Sequence, residues 1–326
     1  MRKLPLEKQL PQVSDLVFGC MGLGGDWDPK SAITADHIKI AHQAVDAALA
    51  IGINLFDHAD IYTSGKAEKV FAKILKQRPE LQREIYIQSK CAIRFADEQY
   101  PGRYDTSPTW LNHSIDGILN RLQVEHIDVL LLHRPDPLMD AEEIAQTLKA
   151  IKASGKVSHF GVSNMHLHQI QLLNHYLDEP LLINQLEINL QKLDWLEEGV
   201  LAGNTQGSHV NFTSGTLEYC QMNNLQVQSW GSLCQGLFSG RDLSEQPESV
   251  VKTAQLVQSL AHKYQTTCES IILAWLMRHP ARVQPVIGTT QAARIKACGA
   301  ASEIMQQLTR DDWYSLYVTA RGQALP

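Results

Sequence analysis

The sequence predicts a (β/α)8 barrel, a TIM barrel, filling residues 1–326 as a single domain. Eight short apolar or alternating runs read as strands, and segments with apolar residues at helical spacing lie between them. The rival fold, a doubly wound sheet holding a dinucleotide, wants G-x-G-x-x-G in the first strand-to-helix turn. Gly19, Gly22, Gly24 and Gly25 do not keep that spacing, so the barrel is the better reading.

The first strand is the run LVFGCMGLG starting at Leu16, followed by NLFDHADIY from Asn54, IYIQSKC from Ile85 and DVLLLHR from Asp128. The second four are SHFGVSN from Ser158, LLINQLEIN from Leu181, LQVQSWGS from Leu225 and RVQPVIGTT from Arg282. Most are bounded by Gly, Pro, Asn or Asp, residues that end strands. Ile38, Ala41, Val45, Ala48 and Leu49 share one helical face, with a stop at Gly52. Leu111, Ile115, Ile118, Leu119 and Leu122 share another, and Ile144, Leu148 and Ile151 a third that ends at Gly155. Leu256, Leu260, Ile272, Trp275 and Leu276 predict a long or broken helix pair before the last strand. The stretch from Gln191 to Gly215, rich in Gly, Asn, Ser and Thr, reads as a loop over the barrel mouth.

Composition narrows the function. The formal charge is −6 with no basic run, which argues against a surface that tracks nucleic acid. The chain lacks an apolar run of membrane-spanning length, and its first residues, MRKLPLEKQLPQ, are too polar for a signal peptide. The six cysteines form no C-x-x-C pair and read as reduced packing residues. A cytoplasmic protein is the expectation.

Barrel active sites lie at the C-terminal ends of the strands. Strand two ends with Asp57, His58, Asp60 and Tyr62, strand three with Lys90, strand four with His133, and strand five with Ser163 and Asn164. Strand six carries Asn184, Gln185 and Glu187, strand seven ends at Trp230, and strand eight ends with Gly288, Thr289 and Thr290. Asp57, Lys90 and His133 are embedded in or abut apolar residues, where an unpaired charge is costly. A tyrosine phenol has a pKa of about 10, and a neighbouring ammonium lowers it by about 1–3 pH units. Asp57 would keep Lys90 charged, so Asp57, Lys90 and Tyr62 read as a tuned general acid, with His133 orienting the same substrate oxygen. A proton delivered to a carbonyl oxygen invites a hydride at its carbon.

The run DHADIY, the strand end QSK and the segments LLHRPDPLMDAEE and HFGVSN resemble the aldo-keto reductase superfamily. Tyr62 lies 5 residues after Asp57, Lys90 another 28 on and His133 another 43 on, in the family's order. HADIY and HRPDPLMDA are most similar to a bacterial branch of uncharacterised NADP-dependent oxidoreductases. The resemblance implies Tyr62 as proton donor, Lys90 and Asp57 as its tuning pair, and His133 as the group orienting an aldehyde or ketone. It implies NADPH as cofactor, with Ser163, Asn164 and Gln185 at the nicotinamide carboxamide and Trp230 stacked on the ring. Gly231, Ser232 and Leu233 would lie at the pyrophosphate, and Gly288, Thr289 and Arg294 at the adenosine phosphate, with Arg294 engaging the 2′-phosphate. Met21 and Trp27 would line the substrate pocket, with Trp110, Trp195 and the loop after strand six adding shape. Gly288 stands where many relatives have Lys, Ala297 and Cys298 replace residues that often meet adenine, and Thr63 replaces a Gly after the Tyr.

Three other functions compete. A metal-dependent hydrolase needs a His-x-His on strand one and further ligands, which this chain lacks, so no metal is expected. A Schiff-base aldolase needs a neutral lysine, and Asp57 opposes that at Lys90. A non-catalytic NADPH sensor would share the whole site. The expected partners are a small carbonyl compound and neither nucleic acid nor membrane, and a monomer is favoured.

Overall fold

The computed structural model describes residues 3–326, and eight parallel strands in it close a barrel. In chain order the strands are β1 (Val17–Gly19), β2 (Leu55–Asp57), β3 (Tyr86–Cys91), β4 (Ile93–Arg94), β5 (Arg103–Tyr104), β6 (Ile127–Leu132), β7 (Val157–Ser163), β8 (Ile183–Glu187), β9 (Gln226–Trp230) and β10 (Gln284–Ile287). The barrel order is β1-β10-β9-β8-β7-β6-β3-β2, while β4 and β5 form a small antiparallel hairpin above β3. Each of the eight expected strands is a barrel stave. Several are shorter than their apolar runs: β1 stops at Gly19 and gives way to a 3-10 turn at Met21–Gly24, and β10 stops at Ile287. Beyond those points the chains leave the ladder to build the mouth.

The helices are α1 (Ala35–Ala50), α2 (Lys66–Gln77), α3 (Leu81–Glu84), α4 (Pro108–Leu122), α5 (Ala141–Ala153), α6 (Leu167–Tyr176) and α7 (Asp194–Val200). They continue with α8 (Thr216–Met222), α9 (Glu248–Lys263), α10 (Cys268–Met277), α11 (Ala292–Lys296), α12 (Ala301–Gln307) and α13 (Arg310–Arg321). Polar side chains start several of them: Thr34 accepts from the His37 amide, and Asp140 accepts from those of Glu142 and Glu143. The expected broken pair before the last strand is α9 and α10. The expected loop at 191–215 is corrected: it contains α7 and a 3-10 turn at Thr205–His209. Trp195 explains the difference, because it is buried edge-on against Trp275 and ties α7 to the outer core.

Strand alternation sorts side chains into two cores. Phe18, Phe56, Ile87, Leu130 and Leu132 face the helices in the larger one. Val17, Leu55, Val129, Leu131, Ile183 and Val286 face the barrel interior, joined by Leu6, Leu10 and Val13 from the N-terminal segment. Above this apolar plug lies a polar layer. Gln228 Nε2 donates to Gln88 Oε1 at 3.2 Å and to Gln284 Oε1 at 3.0 Å, and Gln185 Nε2 donates to Gln228 Oε1 at 2.9 Å. Fully buried amides are tolerated because they satisfy one another.

Gly161 on β7 shows how full the interior is. A Cβ there would lie 2.6 Å from Leu131 Cδ2 and 2.8 Å from the Ile183 carbonyl oxygen. We expect Gly161→Ala to destabilise the fold by about 1–3 kcal/mol through overpacking, read as a lower midpoint in denaturant. An unchanged midpoint would show that β7 can move away from β8.

Candidate active site

The C-terminal end of β2 carries four polar residues that the local chain geometry divides. Asp57, the last residue of β2, is 1% exposed and faces the barrel interior. His58 faces outward against the Phe71 ring, 4.6 Å away, and burial followed by the Lys90 charge pushes its pKa down to about 3. Asp60 also faces away from the mouth, where burial first and then the charge of Glu68 raise its pKa to about 7. Tyr62 is turned back over the barrel. Thr63, Ser64 and Gly65 follow it with φ of 46°, 59° and 77°, three successive left-handed residues. Left-handed backbone costs a side-chain-bearing residue about 1–2 kcal/mol, so Thr63 and Ser64 hold strain that the packing around them must offset.

That turn brings the phenol to Lys90. Lys90 Nζ donates to Asp57 Oδ2 at 2.7 Å, to the His58 carbonyl at 2.9 Å and to Tyr62 Oη at 2.8 Å. An ammonium has three protons, and all three are used. Tyr62 Oη accepts from Lys90, so its own hydrogen remains free to donate into the mouth. Burial lowers the Lys90 pKa, but the charge of Asp57 and the contacts with Tyr62 outweigh it and leave the group above the ordinary lysine value. Lys90 is therefore cationic at neutral pH. Asp57 Oδ1 is held from the other side by the Nε2 atoms of Gln88 at 2.6 Å and Gln185 at 3.3 Å.

The expected lowering of the Tyr62 pKa is corrected. Burial raises it first, Lys90 lowers it by charge and hydrogen bond, Asp57 raises it, and the balance lies above the ordinary phenol value. Taking a phenolate out of water costs more than the neighbouring ammonium returns, because Asp57 already neutralises that ammonium. His133 stands edge-on to Tyr62 with ring centroids 6.0 Å apart. Burial, and then the charges of Lys90 and Arg134, press its pKa well below the usual histidine range, so the imidazole is neutral.

The other expected site residues border this centre. Asn164, at φ 57°, donates from Nδ2 to Ser163 Oγ at 2.8 Å and to the His133 carbonyl at 3.3 Å, and its Oδ1 accepts from Trp230 Nε1 at 3.0 Å. This fixes the Trp230 ring, with the Arg134 guanidinium 5.9 Å from its centroid. Gln185 lies in the barrel interior as part of the amide layer. Gly231 is exposed at φ 67°, Ser232 is buried and donates to the Ser229 carbonyl at 2.7 Å, and Leu233 is half-buried. Gly288 is exposed, with no atom within 4 Å of where a Cβ would sit, and Thr289 Oγ1 accepts from the Gln291 amide at 3.2 Å. Arg294, on α11, joins a loop to α10, donating from Nη2 to Ser239 Oγ at 2.8 Å and placing Nε 3.5 Å from Glu269. Gly236 permits this, since a Cβ there would lie 2.8 Å from Nη2. Met21 and Trp27 are each 47% exposed after β1. Trp110 lies on α4 beneath the Arg94 guanidinium, 4.4 Å from its ring centroid.

Gln88, Gln228 and Arg134 were missed as parts of the site. Gln88 lies two residues before Lys90 on one strand, so period-two alternation puts both on the inner face. Among the described residues no group of three or more His, Cys, Asp or Glu side chains could hold a metal ion, and no helix is long and apolar enough to cross a membrane. All six cysteines are free thiols.

Residues 15–317 match the family described as the Aldo/keto reductase family. The chain is 33% identical to the 6-dehydroglucose reductase of Agrobacterium fabrum over 99% of both chains. It is 30% identical to the uncharacterised oxidoreductase YcsN of Bacillus subtilis over 100% of both. Its fold matches the crystal structure of an aldo-keto reductase from Klebsiella pneumoniae in complex with NADPH at a TM-score of 0.69 and 22% identity, covering 93% of this chain and 90% of that one. With the family match over residues 15–317 and the full-length similarity in agreement, the chain belongs to the aldo/keto reductase family.

Proposed function

We propose that this protein reduces the carbonyl group of an aldehyde or ketone with NADPH, and that Tyr62 delivers the proton. The observation that carries this reading is the use of all three Lys90 protons, one of them on Tyr62 Oη, which leaves the phenol hydrogen for a substrate oxygen. NADPH supplies the hydride for the carbonyl carbon. As negative charge grows on the carbonyl oxygen, Tyr62 donates to it, and the charge left on the phenol is met at 2.8 Å by Lys90. Neutral His133 adds a second hydrogen bond to that oxygen and fixes its direction. Asp57 holds Lys90 cationic and in place.

The residues bordering this centre fit the cofactor. Trp230 offers a ring locked by Asn164 for the nicotinamide to lie against, Ser163 and Asn164 supply hydroxyl and amide groups beside it, and Gln185 lies in the buried amide layer beneath. Gly231, Ser232, Leu233, Gly288 and Thr289 would line the path of the phosphates, with open space above Gly288. Among the described residues Arg294 uses Nη2 and Nε, so Nη1 remains for a 2′-phosphate. The relative named 6-dehydroglucose reductase makes an oxidised sugar the first substrate to test.

Tyr62→Phe should keep NADPH binding, read by fluorescence titration, while turnover with aldehydes falls about 10²–10⁴-fold. Near-normal turnover would remove Tyr62 from the proton step, and tight NADPH binding without turnover in the unmodified protein would favour the sensor. The raised phenol pKa has a signed consequence: reduction needs the protonated phenol, so its rate should hold through neutral pH and decline only above the ordinary phenol range. A decline centred near neutrality would show a different proton donor. Arg294→Ala should weaken NADPH roughly 10–100-fold, the loss of a charged hydrogen bond, and leave NADH nearly unchanged. Equal weakening of both would place the guanidinium elsewhere.

A further inference from the structure

Lys66 is a buried cation outside the proton-transfer set. It opens α2, four residues after Tyr62, and is 4% exposed. Its Nζ donates to Asp26 Oδ1 at 2.9 Å, to the Asp28 carbonyl at 2.8 Å and to Ser31 Oγ at 2.5 Å. Again three acceptors meet three ammonium protons, and every acceptor lies in the segment between β1 and α1. That segment wraps on itself: the Asp28 amide donates to Asp26 Oδ1 at 2.9 Å, and Ser31 Oγ donates to the same oxygen at 2.6 Å. Trp27 stands inside this wrapped turn, with its indole half-exposed.

A second tie joins the same two segments. Ser64 Oγ donates to the Trp27 carbonyl at 3.0 Å, from the left-handed stretch that turns Tyr62 over the barrel. A third constraint is steric. A Cβ on Gly24 would lie 2.0 Å from Thr63 Oγ1 and 2.6 Å from the Ala67 amide nitrogen, so the chain before Trp27 lies flat on the chain after Tyr62. The residue that gives the proton and the residue expected to wall the pocket are thus fastened to one short stretch, 62–66.

We propose that Lys66 is a positioning residue for substrate recognition: its ammonium locks the 26–31 turn, and with it Trp27, at a fixed place relative to Tyr62. The proposal rests on the reading of Tyr62 and Trp27 as acid and pocket wall. Its effect falls on carbonyl binding, since Lys66 contacts neither the Asp57–Lys90 pair nor the loops around Arg294. Lysine suits the task because a tetrahedral ammonium can meet three acceptors converging on one point, whereas the planar guanidinium of arginine spreads its donors outward.

The test compares the unmodified protein with Lys66→Met, which keeps the buried stem and removes the charge, using 4-nitrobenzaldehyde as the carbonyl probe. Hydrogen–deuterium exchange of the amides in residues 26–34 should quicken roughly tenfold or more while those of β3 and β6 keep their protection. KM for the aldehyde should rise roughly tenfold with kcat changed much less, and the dissociation constant of NADPH should stay within about twofold. Lys66→Arg should recover only part of the loss. Unchanged exchange in 26–34, or faster exchange there with KM unmoved, would overturn the proposal, as would parallel loss of cofactor binding and strand protection. If Lys66→Met does not fold, Ser64→Ala removes one tie alone and should show the same pattern at smaller size; no rise in exchange or KM there would equally count against the anchor. Tyr62→Phe separates the two readings: it should cut turnover about 10²–10⁴-fold and leave exchange in 26–34 as it was. An unmodified protein without turnover would sink the carbonyl-reductase reading, and the anchor itself would then be judged on exchange alone.

Discussion

The Asp57–Lys90 ion pair governs this barrel. Both side chains are almost wholly removed from water, with Nζ and Oδ2 2.7 Å apart. Burying an ion costs several kcal/mol, and mutual attraction offsets that only when the remaining protons and lone pairs are also satisfied. Here they are: Lys90 spends its other protons on a backbone carbonyl and a phenol, and Asp57 takes amide donors from Gln88 and Gln185. Removing either partner would strand a charge in a dry interior. The pair therefore demands that β2, β3 and the turn carrying Tyr62 stay in one arrangement, the one on which the proposed proton transfer relies.

The interior is graded to suit this pair. Val17, Leu55, Val129 and their neighbours make an apolar floor sealed by Leu6, Leu10 and Val13. A layer of interlocked glutamines lies between the floor and the charges. Amide dipoles can lean toward a carboxylate without bringing in water, so Asp57 is held by fixed dipoles in place of solvent. A wholly aliphatic barrel would leave one carboxylate oxygen bare. The same low-dielectric setting keeps His133 neutral and Tyr62 protonated, the two states that the proposed proton donor and orienting hydrogen bond require.

Much of this was legible in the order of residues. Strand alternation and helical spacing announced eight staves, and polar residues at the ends of apolar runs announced the mouth, because a barrel leaves its strand ends no other place to gather. Asp57, Lys90 and His133 could be picked out one strand at a time, each being a costly group in an apolar setting. The stretch 191–215 was less legible: its polar composition suggested a loop, while one buried indole, Trp195, pins a helix there.

The set of staves and the chemical groups at their ends can be read from residue order, because both follow from periodicity and local burial along the chain. Tertiary structure alone decided how those groups act on one another. The rise in the Tyr62 pKa came from depth of burial and from Asp57 cancelling its neighbour's charge, and neither depends on spacing along the chain. The glutamine layer is built from bonded pairs up to 140 positions apart, and the Lys66 anchor joins segments about 40 apart. Hydrogen bonds and Coulomb energies depend on separation in space, so they are set only when the barrel closes.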